Sequence, residues 1–389
     1  MINLWPMLLP AAAMSGWVAA RRSTKSKEVM SSNHLSREYV VGLNYLLNEQ
    51  PDKAVDIFIK LLEVDSETVE THLALGSLFR RRGEVDRAIR IHQNLIARPQ
   101  LSLVQRKEAL MALGQDYMSA GVFDRAERIF LEVVTLGAGK DVASLHGLLA
   151  IYQQEKAWDK ALDIVKKLEV CTGQSLHIQA AHYYCEIAQL AIKDNKIEDA
   201  YQAIRQAFAI DKSSVRASLI LASIEMKQGR YKQAIRALKR VPEQDAAFTS
   251  EVIELLVICH QELNILPECV SYLEQSIAKF PTTSTLFVIA DYIRKEKSLD
   301  AAIDYVAGEL AQHPSIRGLN KLIFWHLENA HGKVRTKLQM LYDITSRLLV
   351  NKPIYRCGQC GYGGKHLHWH CPSCKQWGKM KPIHGLEGD

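Results

Sequence analysis

The chain has 389 residues, 48% hydrophobic and 24% charged, with only 11 prolines and 21 glycines, a composition that supplies ample core and excludes a disordered polypeptide. Its net charge of +6 is concentrated at the ends: residues 21–27 and 351–389 each carry +4, which leaves residues 28–350 at −2. So faintly acidic a body argues against a chain built to hold nucleic acid.

Leu4 to Ala20 is a run of 17 residues without a charge, closed at once by the basic segment RRSTKSK. As a helix it would be about 25 Å long, within the lower range for a bilayer span. Trp5 and Trp17 stand near its ends, where indoles favour the interface. Pro6 and Pro10 fall in its first two turns, where proline is best tolerated. A cleavable signal peptide would want Lys or Arg ahead of the apolar run, and residues 1–3 offer none; a helix lying on the membrane surface is the other rival. The reading is a transmembrane anchor over 1–20, with its trailing cations and the whole remaining chain on the cytoplasmic side, followed by a polar cytoplasmic stalk over 21–34.

From residue 35 the sequence repeats. In 69–100, Leu75, Phe79, Ile91 and Leu95 recur at helical steps, Gly76 and Ala88 are small enough for two antiparallel helices to approach closely, and Gly83 with Glu84 marks the turn between them. The small residue returns at Ala54, Ala88, Ala126, Ala161, Ala200, Ala234, Cys269 and Ala302, at intervals of 34, 38, 35, 39, 34, 35 and 33 residues. These cluster around the 34 residues of a tetratricopeptide repeat, with short insertions in the third and fifth units. Pro281 and Pro314 each follow the small residue by 12 positions, as the closing proline of such units does. The spacing predicts an all-α solenoid over 35–350: eight helix pairs and a ninth over 315–350, with the longest interruption at 169–179. An ordinary helical domain with heptad-like seams would not keep one phase through eight copies.

Such arrays bind peptides or protein surfaces along the wall formed by the first helix of each pair, and imply no chemistry. Counting from the repeat phase, Tyr39, Leu43, Leu73, Ser77, Arg80, Arg81, Met111, Gln115, Met118 and His146 are expected to face the groove of the N-terminal half. Against this, Arg80, Arg81 and Arg82 also read as a solvated charge run, and Met111 with Met118 as core.

The firm chemistry lies in 351–389. Cys357, Cys360, Cys371 and Cys374 form C-x2-C-x10-C-x2-C, two turns each presenting two thiolates to one tetrahedral ion. Gly361 and Pro372 shape each turn as a knuckle whose backbone N–H groups can point at sulfur. Disulfides are disfavoured because a cytoplasmic location keeps thiols reduced. His366, His368 and His370 alternate as on one face of a strand and are left as non-ligands, four sulfurs being already present. The ion is one Fe or Zn, between which sulfur ligands alone do not choose. A closed four-thiolate site permits only outer-sphere electron transfer, with no flavin or nicotinamide motif beside it. A zinc ribbon binding nucleic acid through Tyr362, Trp369 and Trp377 fits poorly with a membrane tether. No nucleophile–base pair or paired carboxylates stand out, so no enzymatic activity is expected.

An apolar N-terminus ending in Arg-Arg, the repeats with their RGEVDRAIRIHQ segment, and a terminal CGQCG…WHCPSC pair followed by Trp377 and KPIHGLEG together resemble the lipopolysaccharide assembly protein B family of Gram-negative bacteria, over essentially the entire chain. The resemblance implies a single-pass inner-membrane protein facing the cytoplasm that regulates lipopolysaccharide synthesis. It further implies an adaptor that brings the lipid A pathway deacetylase to a membrane-bound AAA+ protease of the FtsH type, restrained by a membrane sensor protein. A scaffold coordinating lipopolysaccharide assembly without proteolysis is the alternative. The four cysteines carry over as ligands of a rubredoxin-like knuckle, which favours iron. Docked on the last repeats, such a knuckle would hide the end of the solenoid, and its Lys and Arg side chains could meet anionic lipid or lipopolysaccharide phosphates.

Overall fold

A computed structural model describes residues 69–350, 352–386 and 388, together with a few positions between 40 and 57. The expected anchor and stalk, Tyr39, Leu43 and Ala54 lie outside the described residues. Among those described, no helix is long and apolar enough to cross a membrane.

The chain divides into two compact units, 1–173 and 174–389. The first holds three described helix pairs: α1 (Val69–Arg81) with α2 (Val85–Ile96), α3 (Leu103–Ser119) with α4 (Phe123–Leu136), and α5 (Val142–Gln154) with α6 (Trp158–Thr172). In the second, α7 (His177–Lys193) pairs with α8 (Ile197–Ile210), and α9 (Val215–Lys227) with α10 (Tyr231–Lys239). A short α11 (Val241–Gln244) and a 3-10 turn (Ala246–Phe248) interrupt the array before α12 (Thr249–Glu262) with α13 (Leu266–Ile277), α14 (Thr283–Glu296) with α15 (Leu299–Gln312), and α16 (Ile316–Asn329) with α17 (Gly332–Val350). This is a tetratricopeptide-type solenoid, and α16 and α17 form the further pair expected over 315–350.

The repeat phase has a direct packing cause. Ala88, Ala126, Ala161, Ala200, Ala234, Cys269 and Ala302 are all 0% exposed, each filling the closest approach of its pair. Five residues before each, the turn enters left-handed backbone: Gly83, Gly121, Lys156, Asn195, Gly229 and Asn264 all have positive φ. The eighth unit departs, with Lys297 at φ −117°. The two insertions are absorbed as helix rather than loop: α3 and α7 run to 17 residues against 13 in α1. The expected interruption at 169–179 is likewise mostly helix, because α6 continues to Thr172 before Gly173 ends it at φ 69°. The break at 240–248, which periodicity did not announce, follows from Pro242 opening a four-residue helix.

Side-chain caps set several helix starts. Ser102 and Gln105 form a reciprocal capping box on α3, and Asp141, Ser214, Thr282 and Ser315 each accept a backbone N–H of their helix. After α17 the chain forms a small antiparallel sheet, with β1 (Tyr355–Cys357) central between β2 (Gly363–Gly364) and β3 (Met380–Pro382).

Candidate metal centre and the faces of the solenoid

The two knuckles are built alike. In the first, Gly361 N–H donates to Cys357 O at 3.0 Å, and in the second Lys375 N–H donates to Cys371 O at 3.0 Å. Gly361 and Lys375, each four residues past the leading cysteine, take the same left-handed turn at φ 76° and 57°. Each turn thus directs two sulfurs inward. Cys357 Sγ lies 3.7 Å from Cys374 Sγ, Cys360 Sγ lies 3.7 Å from Cys371 Sγ, and all four sulfurs fall within 4.8 Å of one another. A tetrahedral ion with metal–sulfur bonds of about 2.3 Å sets its ligands about 3.8 Å apart, so the sulfur cage fits one thiolate-bound ion with no open position.

Backbone dipoles prepare the sulfurs. The N–H of Tyr362, with smaller help from Ser373 and the neighbouring thiols, pulls the Cys360 thiol down to about 6. The N–H of Gln376 acts in the same sense on Cys374, but burial and three sulfurs competing for its proton hold that thiol up at about 12. His366, His368 and His370 are not ligands; the cluster consists of the four cysteines alone. They do not lie on a strand either, since 365–369 is a bend between β2 and an isolated bridge at His370. His370 instead stacks on Trp377, with ring centres 4.6 Å apart, and bonds Lys375 O through Nε2 at 2.9 Å.

The body of this domain does not cover the end of the array; its tail and Lys365 reach the last pair. It packs against the middle of its own unit, on first helices α7, α9 and α12 and the 3-10 turn. Trp369 stacks on Phe248 at 5.4 Å and 18°, and Trp377 meets Tyr183 edge-on at 5.5 Å. His182 lies 5.7 and 5.4 Å from the same two indoles. Arg216, 3% exposed, stands about 6 Å from both rings, while its Nη2 donates to Glu186 at 2.7 Å and to Gln189 at 2.8 Å. Burial, reinforced by the Arg216 charge, lowers the His182 pKa to about 3, so the ring is neutral. Gly378, at φ +65°, fits only as glycine: a Cβ there would sit 2.8 Å from His182 Nε2. Around this centre, Tyr355 Oη donates to Glu251 at 2.9 Å, Lys381 pairs with Asp245 at 2.7 Å, and His384 Nε2 lies 2.7 Å from Ala247 O. The tail reaches α16, where Ile316 N–H donates to Leu386 O at 3.0 Å. Trp369 and Trp377, read above as nucleic-acid candidates, are docking anchors; Arg216, His182 and Glu251 carry no local sequence signal for this role.

In the first unit the first helices α1, α3 and α5 carry the expected groove residues. Arg81, Gln115 and His146 are exposed, while Leu73, Ser77, Met111 and Met118 are half-buried. Met111 Sδ accepts from Ser144 Oγ at 2.8 Å, which ties it to the next pair. Arg80 is neither solvated nor free. It donates to Asp116 Oδ1 at 2.6 Å, to Gln115 Oε1 at 2.9 Å and to Ala112 O at 3.2 Å, while His92 Nδ1 bonds the other Asp116 oxygen. His92 and Asp116 are both 0% exposed. Arg80 therefore braces α1 against α3.

Comparison with known proteins bears on both features. Residues 71–103 and 191–256 match tetratricopeptide repeat families, and residues 355–382 match a family described as a rubredoxin metal binding domain. Lipopolysaccharide assembly protein B of Escherichia coli strain K12 is 39% identical over 389 residues, covering all of both chains. The protein of that name from Haemophilus influenzae is 36% identical, again over the whole of both. Among solved structures, MamA of Desulfovibrio magneticus RS-1 aligns to 46% of this chain and 96% of its own, at 13% identity and a TM-score of 0.35.

Proposed function

We propose, since the chain belongs to the lipopolysaccharide assembly protein B family, that it is a membrane-tethered adaptor without enzymatic activity of its own, which promotes proteolysis of the lipid A pathway deacetylase by an FtsH-type protease. The observation that carries this reading is the contrast between the two first-helix faces. In the second unit that face is occupied by the chain's own metal-binding domain. In the first, that face of α1, α3 and α5 leaves Arg81, Gln115 and His146 exposed. A client protein seats on this second face, with Leu73, Ser77, Met111 and Met118 behind the contact and Arg80 holding its two helices in register.

The tether supplies the rest. Anchored by residues 1–20 on the cytoplasmic side of the inner membrane, the adaptor confines its client to the surface where the protease sits, which raises their effective concentration without any new contact. A membrane sensor protein restrains the pairing. The bound ion, iron by the rubredoxin-type knuckle, performs no reaction; it folds residues 352–386, and Trp369 and Trp377 then fix them on α7, α9 and the 3-10 turn.

The test is the half-life of the deacetylase in cells carrying the intact gene, a deletion, or a gene lacking residues 1–20. Stabilisation in both altered strains is expected. Unchanged turnover would refute the adaptor and leave a scaffold that organises lipopolysaccharide assembly without proteolysis.

A further inference from the structure

The end of the array carries a surface that neither the metal domain nor any other described part of the chain uses. A solenoid's terminal helix ordinarily presents a polar outer face to water. Helix α17 does not: none of its 19 residues is buried, and Met340, Leu341, Ile344 and Leu348 are 66, 49, 45 and 51% exposed. Its inner side is the one turned to α16, where Asn320 Nδ2 donates to Thr345 Oγ1 at 2.8 Å and to Ser346 Oγ at 2.9 Å, and Phe324 meets Tyr342 at 5.9 Å. On the opposite side, helical spacing aligns Lys333, Lys337, Met340, Ile344, Arg347 and Leu348 in one stripe.

We propose that this outer stripe of α17 rests on the anionic phospholipid headgroups of a bilayer. The charge supports this occupant: the stripe carries three cations, Lys333, Lys337 and Arg347, while the single acid of α17, Asp343, is already bonded by Gln339 at 2.9 Å. None of the three is in an ion pair among the described residues. A second copy of the chain is disfavoured, because isologous pairing would bring Lys333, Lys337 and Arg347 against their own counterparts. An acidic protein partner fits less well, since Lys333 and Lys337, which continue the apolar stripe, are of the residue type in which protein interfaces are depleted. At a bilayer surface the same arrangement is favourable: long cationic stems snorkel toward phosphates while Met340, Ile344 and Leu348 enter the headgroup boundary. The helix is about 28 Å long, so the contact is an extended one along the plane. The inference goes beyond the adaptor reading and does not depend on the deacetylase.

A photocrosslinking amino acid tests it in the full chain. With Met340→p-benzoylphenylalanine and vesicles of phosphatidylcholine containing phosphatidylglycerol, irradiation is expected to give lipid adducts. Their yield should fall at least about tenfold in phosphatidylcholine alone, and at least as far on Lys333→Glu, Lys337→Glu and Arg347→Glu combined. The same group at Val170, which is 86% exposed, should give none. Adducts to a second copy or to another protein, lipid adducts equal at 340 and 170, or a yield indifferent to both lipid charge and charge reversal would each overturn the proposal. Retention of the chain on vesicles through residues 1–20 raises the lipid concentration for both positions, so the contact is read from the difference between 340 and 170 and from its loss on charge reversal.

Discussion

Gly378→Ala is the sharpest probe of how the metal domain is held. An alanine at φ +65° meets left-handed strain of about 1–2 kcal/mol. Its methyl carbon would also lie 2.8 Å from His182 Nε2. That ring cannot withdraw, since it is 6% exposed and lies between Trp369 and Trp377, so overpacking adds about 1–3 kcal/mol. Docking should therefore weaken by roughly 2–5 kcal/mol, and at tenfold per about 1.4 kcal/mol, metal release to a chelator should accelerate at least about 30-fold. The assay is stopped-flow release into a colorimetric chelator, with far-UV circular dichroism confirming that the helices persist. His182→Ala removes the obstructing ring, so the double variant should fall short of the sum of the single effects by about 1–3 kcal/mol. Release within about threefold of the parent, or strict additivity in the cycle, would refute the packing argument.

Three further outcomes follow from the same geometry. Cys360→Ser, or stripping the ion from the parent, should unfold residues 352–386 while leaving the helical signal, because the domain's own buried cluster is only Cys357, Cys371 and Met380; a red shift of tryptophan emission reports Trp369 and Trp377 leaving their sites. Since burial lowers the folded-state pKa of His182 from 6.5 to about 3, the unfolded ring takes up a proton first as pH falls. The stability this group contributes is then fully present above about 6.5 and is lost as pH falls towards 3, and the pH slope measured by denaturant unfolding should flatten in His182→Leu. Arg80→Ala leaves Asp116 buried beside His92 without its guanidinium and should destabilise the first unit by about 3–5 kcal/mol, whereas Arg81→Ala, at an exposed position, should change urea unfolding by no more than about 0.5 kcal/mol.

The sequence announced what is local and periodic. A small residue every 34 or so positions located the seam of each pair, and all seven described instances are fully buried. The residue five places earlier was readable where it is Gly or Asn, which tolerate left-handed backbone; Lys156 takes that conformation without such a signal, and Lys297 does not take it. The four sulfurs were readable because metal geometry constrains their spacing. The role of Arg80 was not legible: periodicity assigns a face, but whether a cation on that face meets solvent or a buried carboxylate depends on Asp116, 36 residues away. The seat of the metal domain was missed for the same reason, since Arg216, His182 and Phe248 resemble ordinary helix and turn residues until Trp369 and Trp377 arrive from the far end of the chain.

The distance along the chain between those partners also orders events in time. Helix pairs and their stacking on the next pair close from residues no more than about 36 apart, whereas Tyr355 to Glu251 spans 104 positions and His384 to Ala247 spans 137. Nearest-neighbour stacking can propagate as each pair forms, but the long closures cannot begin until the last residues are available. Refolding should accordingly show a fast phase insensitive to metal and a slower one whose rate follows ion concentration. During synthesis, the faces of α7, α9 and α12 spend the interval between the two phases uncovered, so a chain that stops short of Cys371 would leave them so permanently.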